Sequence, residues 1–551
     1  MNEALIAYGA AASVLAAAAP ALKARLDLSL AKHRSLAGHA RMAKRLAAWI
    51  PCYEYEGSRF FDVDGAPAEV AVRRSAGFDR LAALLRHRCP KTLALTREAS
   101  DSLSDLQFTS AHRVPFQFRE TVRRHLEIGA FVASSSGVTL TDLDGNRYYD
   151  LTGSYGVNVF GHDFYKDCML RGCGRGAALG PVLGAYHPSV AYNVRRLREI
   201  SGMEEVSFHM SGTEAVMQAV RLARYHTRRT RLVRFCGAYH GWWGDVQPGI
   251  GNPLPARDTY TLKDMDERAL RVLRSRRDIA CVLVNPLQAL HPNANAPGDA
   301  ALVDSGRRAG FERGAYADWL AKLRAVCSER GIVLIFDEVF VGFRIAPGGA
   351  QEYFGVRADM VTYGKTVAGG FPVGVVCGRS RFMKRYRDDR PADICFARGT
   401  FNSHPYVMAS MQAFLERLED PGVRALYDGI DARWDARAQA LNRRLEEASL
   451  PVRVANLSSI WTVFYTRPSR YNWMLQYYLR AHGLALSWVG TGRLVFSLDY
   501  TESDFAEVAS RFVAAARQMQ DDGWWWARAG LTDRGIRRTL LREMVARRLR
   551  L

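Results

Sequence analysis

Five short apolar runs recur along the middle of the chain, separated by stretches of helical periodicity, and each closes on polar or small residues. They are RLVRF (231–235), ACVLVNP (280–286), GIVLIFDE (331–338), DMVTYGK (359–365) and PVGVVCG (372–378). Runs that are apolar on both alternating faces read as strands buried on both sides, a pattern typical of a mostly parallel sheet covered by helices. The stretch 317–330 supplies one such helix, with Ala317, Leu320, Leu323, Val326 and Cys327 on one face. An α/β architecture follows, with ligand chemistry expected just beyond the carboxyl ends of the strands.

The flanks read differently. Residues 24–100 are helical and basic, with Leu81, Leu84 and Leu85 at helix spacing. The segment GVTLTDLDGNRYYD (137–150) has the alternation and Asp144-Gly145-Asn146 turn of a hairpin. Beyond residue 400 we expect a smaller α+β region: a long helical stretch over 405–449 and strands at Ile460 to Tyr465 and Arg493 to Leu498. The tail 535–551 interleaves arginines with Leu, Met and Val at helical spacing.

Charge and cysteine usage narrow the function classes. Lys and Arg total 76 against 56 Asp and Glu, a net +20. No helix-turn-helix or aromatic-plus-basic motif accompanies that excess, so nucleic acid is not the expected partner. The nine cysteines lack any CxxC pair or zinc-type spacing, which implies reduced thiols, a cytoplasmic setting and no metal. Ala4 to Leu22 runs without a charge, but ten of these residues are alanine and Pro20 lies near the end. It reads as an Ala-rich helix packed on the protein, with peripheral membrane contact as the alternative, since Lys23, Arg25 and Lys32 follow it.

The ends of four apolar runs carry the chemistry. GIVLIF closes on Asp337-Glu338 and DMVTYG on Lys365, so a carboxylate and an amine stand at one sheet rim if the strands are neighbours. Such a pair can hold an electrophilic carbonyl cofactor through an imine and a ring-cation contact, or simply cap the sheet as a salt bridge. Ser211-Gly212-Thr213-Glu214 opens a helix after EEVSFHM, a place for phosphate or an ordinary N-cap. Tyr239-His240-Gly241 follows RLVRFCG and offers a ring to stack on a planar ligand. GCGRG (172–176) lacks the preceding strand and spacing of a dinucleotide loop.

In this order the segments TDLDGNRYYDLTGSYGVNVFGH (141–162), SGTEAVMQAVRLAR (211–224), GAYHG (237–241), LIFDEVFVGFR (334–344), GGAQEYFGV (348–356), TYGKTVAGGFPVGVVCGR (362–379) and GTFNSHP (399–405) resemble class III pyridoxal-phosphate-dependent aminotransferases. The resemblance covers roughly residues 110–510 and points to the subgroup of glutamate-1-semialdehyde aminomutase and the aminotransferase modules of polyketide/peptide synthases. It implies fold type I, with pyridoxal 5'-phosphate as cofactor and a homodimer sharing its active sites. The implied organisation is a helical basic extension (1–110), the first part of the small domain (111–170), a large cofactor domain (171–400), the rest of the small domain (401–520) and a basic amphipathic tail (521–551).

By position, the resemblance makes Lys365 the Schiff-base lysine and Asp337 the partner of the pyridine nitrogen. Val339 and Tyr239 would flank the ring, with His240 beside Tyr239. Ser211, Gly212 and Thr213 would cup the phosphate, Thr400 would reach in from the neighbouring subunit, and Gln288 would lie near the ring hydroxyl. Trp242 and Trp243 either line an apolar pocket or pack on the small domain, and Arg113, Arg119 and Arg344 are candidates for a substrate carboxylate. Three departures bear on the reaction. His404-Pro405 stands where many relatives read Asn-Pro after the GT motif, which makes GTFNSHP resemble the modules that aminate acyl chains. Asn285-Pro286 stands where many relatives read Glu-Pro, and 488–497 (WVGTGRLVFS) lacks the acid of the aminomutases.

The expected activity is therefore amino transfer from an amino-acid donor to a keto, aldehyde or acyl-chain substrate, free or on a carrier protein. The alternatives are an intramolecular 2,1-amino shift, a condensation of an amino acid with an acyl thioester, or a non-enzymatic role as a cofactor-sensing regulatory domain. The basic extensions suggest an acidic carrier protein or a membrane surface as partner.

Overall fold

A computed structural model describes residues 18–32, 39–247, 251–252, 257–287, 310–487 and 492–549. The first part of the Ala-rich segment and Gln288 lie outside the described residues; residues 18–31 are helical.

The apolar runs form strands Arg231–Phe235, Ile279–Val284, Val333–Asp337, Met360–Gly364 and Gly374–Gly378, joined by Glu205–His209 and Thr259–Leu262 into one seven-stranded sheet. From one edge the order is 205–209, 374–378, 360–364, 333–337, 279–284, 231–235 and 259–262. Only 374–378 runs against its neighbours. The carboxyl ends of the other strands therefore share one rim, to which Gly374 belongs by its amino end.

Side chains alternate between two apolar layers. On one face Leu232, Cys281, Leu283, Val333, Ile335, Met360 and Val376 pack under the helix Gly212–Thr227, whose Ala215, Ala219 and Ala223 allow close approach. The opposite face, with Val233, Val282, Leu334, Phe336 and Val361, packs into the larger core that includes Leu320, Leu323 and Val326 of the helix Arg313–Arg330.

Segments distant in sequence meet around this sheet. The expected hairpin forms from Thr139–Thr141 and Arg147–Asp150, turning at Gly145 with φ 84°, and strand Leu484–Ala485 pairs in parallel with its second arm. A second small sheet joins Val452–Leu457, Ile460–Tyr465 and Arg493–Val495. The last strand is shorter than the expected 493–498 because the chain leaves the sheet: Phe496 donates to the Ser459 carbonyl and Leu498 to that of Val159. The stretch 405–449 is likewise not one helix. It breaks into Pro405–Arg417, Pro421–Ala425 and Ile430–Glu447, at Asp420-Pro421 and at Gly429, whose φ is 59°.

The amino-terminal helices Ala68–Arg88 and Pro90–Ser100 are tied into the body of the molecule. Arg74, fully buried, pairs with Asp64 at 2.7 Å and lies 4.5 Å from the Tyr471 ring. Phe60, Phe78, Phe118, Trp473 and Trp524 complete that core.

Candidate active site

Four segments converge on the rim. Ser211 caps the helix Gly212–Thr227, its Oγ accepting the Glu214 amide at 3.2 Å, while the Glu214 carboxylate accepts the Met210 amide at 3.0 Å. This reciprocal cap leaves the Gly212 and Thr213 amides free of partners among the described residues, at the positive end of the helix dipole.

The cradle is shaped by missing side chains. A Cβ on Gly212 would meet Val339 Cγ1 at 2.7 Å, one on Gly241 would meet Thr213 Oγ1 at 2.5 Å, and one on Gly374 would meet the Ser211 carbonyl oxygen at 1.9 Å. The 211–213 turn is thus wedged between the Val339 turn, the 239–241 turn and the antiparallel strand.

Asp337 is almost wholly buried at the end of Val333–Asp337. One carboxylate oxygen lies 2.7 Å from His240 Nδ1; the other accepts the Val339 amide at 3.2 Å and the Thr362 hydroxyl at 3.3 Å. His240 is buried too, which holds its imidazole below the usual pKa against the opposing pull of Asp337, and its Nε2 has no partner among the described residues. A neutral imidazole donating from Nδ1 fits this pair.

Lys365 begins the next turn with φ 48°, a left-handed conformation that costs an L-residue about 1–2 kcal/mol. Its amine forms no hydrogen bond with the described residues and lies 5.8 Å from the Phe340 ring centroid. Burial lowers its pKa, while the negative charge of Asp337 raises it in part. The loop Gly153–Gly156 closes over this point: a Cβ on Gly156 would lie 2.8 Å from the Phe340 ring and 3.3 Å from Lys365 Cδ. Ser154 and Tyr155 in that loop also have positive φ, 46° and 56°.

Tyr239 is largely exposed, its pKa raised by partial burial and by the charge of Asp337, and its carbonyl accepts from Asn285 Nδ2 at 3.2 Å. Asn285 therefore holds the Tyr239 turn. Ser211, Gly212, Thr213, Tyr239, His240, Asp337, Val339 and Lys365 share this rim. Thr400 is exposed and has no hydrogen bond to them among the described residues. Trp242 is exposed, while Trp243 packs against the core beneath helix Gly212–Thr227.

Arg344 is not available for a substrate. It is fully buried, donating to Ser459 Oγ and to the carbonyls of Phe496, Gly156 and Asn158 at 2.6–3.3 Å. It is a strut between the two chain regions beside the sheet. Arg113 differs: its guanidinium has no hydrogen bond or ion pair among the described residues, burial lowers its pKa, and Tyr477, Arg480 and Tyr155 are its charged or ionisable neighbours.

Thr362 and Phe340 carry no sequence signal that would single them out, yet both belong to the site. Thr362 faces Asp337 because the two are paired across neighbouring strands, a register no local pattern encodes. Glu338, the second acid at that strand end, turns away from the rim. It accepts the amides of Ala350 and Gln351, and burial pushes it up to about 8. Among the described residues no cluster of His, Cys, Asp and Glu is arranged for a metal ion, and no helix is long and apolar enough to cross a membrane.

A lysine, a buried aspartate and a glycine-lined helix start on one rim of a seven-stranded, mostly parallel sheet define the architecture of fold type I pyridoxal-phosphate-dependent enzymes. The chain belongs to the class-III aminotransferase family, whose model matches residues 121–246 and 300–515. It is 36% identical over 338 residues to a glutamate-1-semialdehyde 2,1-aminomutase of Alkaliphilus oremlandii, covering 57% of this chain and 73% of that protein. A solved transaminase with PLP bound is 29% identical, with a TM-score of 0.61 and coverage of 71% of this chain and 92% of that one. A glutamate-1-semialdehyde aminomutase structure from Pseudomonas aeruginosa shares the fold at 19% identity, with a TM-score of 0.64 over 81% and 99% of the two chains.

Proposed function

We propose that this pyridoxal-phosphate enzyme is an aminotransferase passing an amino group from an amino-acid donor to a keto, aldehyde or acyl-chain substrate. The partly buried amine of Lys365, without a hydrogen bond among the described residues and within the electrostatic reach of Asp337, is the observation that carries the assignment of the site. When bound, the cofactor supplies an electrophilic carbonyl and an electron-accepting ring.

The remaining chemistry belongs to the chain. Burial raises the neutral fraction of Lys365, so its Nζ can both attack and carry a proton. Asp337, oriented by His240 and Thr362, would hold the ring nitrogen. The amides of Gly212 and Thr213, with Ser211, would hold the phosphate. Val339 and Tyr239 would flank the ring, and in a cytoplasmic homodimer the partner subunit's Thr400 would complete the site, with Gln288 assigned to the ring hydroxyl by the resemblance alone. Arg113, beside Tyr155 of the loop over Lys365, receives a substrate carboxylate.

The mutase reading draws support from the 36% identical relative. Product accounting separates the two. Transamination releases one keto acid for each amino group passed to the cofactor, and the visible band of the lysine-bound cofactor shifts to that of its aminated form. An amino shift yields an isomer with no keto acid. If none of the amino acids tried releases a keto acid while an aminated aldehyde is isomerised, the aminotransferase reading fails.

A further inference from the structure

We propose that the carboxyl-terminal helix and the short helix beside it form a docking surface for an anionic lipid bilayer, a property separate from the reaction proposed above. The helix Asp533–Leu549 is held by its inner face: Ile536 is buried, Met544 packs on the core, and Glu543 pairs with Arg470 at 2.9 Å and bonds to Tyr55. Its outer face carries Leu541, Val545 and Leu549 at four-residue spacing, with exposures of 62%, 41% and 57%. Arg538 and Arg542 run alongside, exposed and without an ion pair among the described residues.

This stripe continues onto a second element. Arg548 lies 5.7 Å from the ring of Trp49, which follows the helix Ala40–Ala47. Trp49, Ile50 and Leu46 are exposed there at 60%, 47% and 46%, beside the exposed Arg45. His39 to Ile50 contains no acidic residue, and within Arg534–Leu549 the only one is Glu543, which is turned inward. Across these two segments the outward side chains thus include aliphatic residues, one tryptophan and cations, and neither segment itself adds an outward carboxylate.

Charge and shape favour a bilayer as the occupant. An interfacial helix sinks its apolar residues below the headgroups while its cations remain among the phosphates, and tryptophan belongs at that depth. A helix of this length lies along the surface for about 25 Å, too short and too charged to enter the hydrocarbon.

The test uses the full-length holoenzyme and sedimentation with vesicles of phosphatidylcholine alone or mixed with phosphatidylglycerol. Binding is expected only to the anionic vesicles, and it should weaken as salt rises. Arg538→Gln with Arg542→Gln should weaken it roughly 30-fold, at about 1 kcal/mol per cation near such a surface. Leu541→Gln with Leu549→Gln should also weaken it while leaving the salt dependence in place. Both variants should keep wild-type turnover and cofactor absorbance. Failure to bind anionic vesicles overturns the proposal, as does binding indifferent to both variants. Sedimentation velocity showing that this face instead joins two copies of the chain, or capture of an acidic carrier protein without vesicle binding, overturns it as well.

Discussion

Gly374→Ala is a direct test of the phosphate cradle. Gly374 does not have a positive φ, so the added methyl is tolerated by the local backbone and the cost is purely one of space. That methyl would lie 1.9 Å from the Ser211 carbonyl oxygen, and relieving the contact requires a shift of about 1 Å. A backbone oxygen cannot rotate away, and this one accepts the Ala215 amide at 3.0 Å, so the first turn of helix Gly212–Thr227 must move or lose that bond. Overpacking of this kind costs about 1–3 kcal/mol, and a displacement of about 1 Å at a positioned group can cost up to about 100-fold. We expect pyridoxal phosphate to bind about 10–100-fold more weakly, measured by titrating apo-protein and following the visible band. Pyridoxal without the phosphate should lose far less, because Lys365 and Asp337 are untouched. Wild-type affinity for pyridoxal phosphate, or an equal loss for both ligands in a folded variant, would refute the assignment of the 211–213 turn to the phosphate.

Three further outcomes follow from the geometry. Lys365→Ala should abolish both the visible band of the lysine-bound cofactor and turnover while leaving the far-ultraviolet circular dichroism unchanged; retained turnover contradicts its role. Arg344→Met should destabilise the fold by about 3 kcal/mol or more in urea unfolding, because it strips donors from buried carbonyls; a variant as stable as wild type removes the strut. Burial, with a smaller effect of the Arg385 charge, holds His209 at about 4. The unfolded imidazole titrates near 6.5, so the unfolded chain binds the extra proton first. Stability present above pH ~6.5 is then lost as pH falls toward ~4, by up to about 3 kcal/mol. Urea midpoints for His209→Gln should show a shallower fall over that window, and an unchanged slope speaks against it.

Arg113→Met offers a kinetic check on substrate recognition. Loss of a charge-assisted pair should raise KM for a carboxylate-bearing substrate about 10–100-fold with a smaller change in kcat. An unchanged KM would leave Arg113 as packing only.

What can be read from the sequence is local. Double-sided apolar runs mark buried strands wherever they occur, and Asp337 and Lys365 close two of them, so the rim chemistry is legible along the chain itself. The Asp144-Gly145-Asn146 turn and the Ser211 cap are equally legible, because backbone sterics and helix-end amides act over a few residues.

Contacts across the fold are decided by tertiary structure alone. Thr362 reaches Asp337 only through strand register, Gly374 touches Ser211 only because its strand runs antiparallel, and Gly156 meets Lys365 only when a distant loop folds over the sheet. The same separates two arginines that look alike in sequence. Arg344 is spent on buried carbonyls, whereas Arg113 keeps its donors free of the described residues, because partner and burial are properties of packing rather than of residue type. The basic tail shows it again: its composition reveals charge, but only the inward turn of Glu543 leaves an outer face of cations and aliphatic side chains. Periodicity and turn chemistry are short-range and written along the chain; pairing, burial and the sharing of polar partners depend on which segments the folded core brings together.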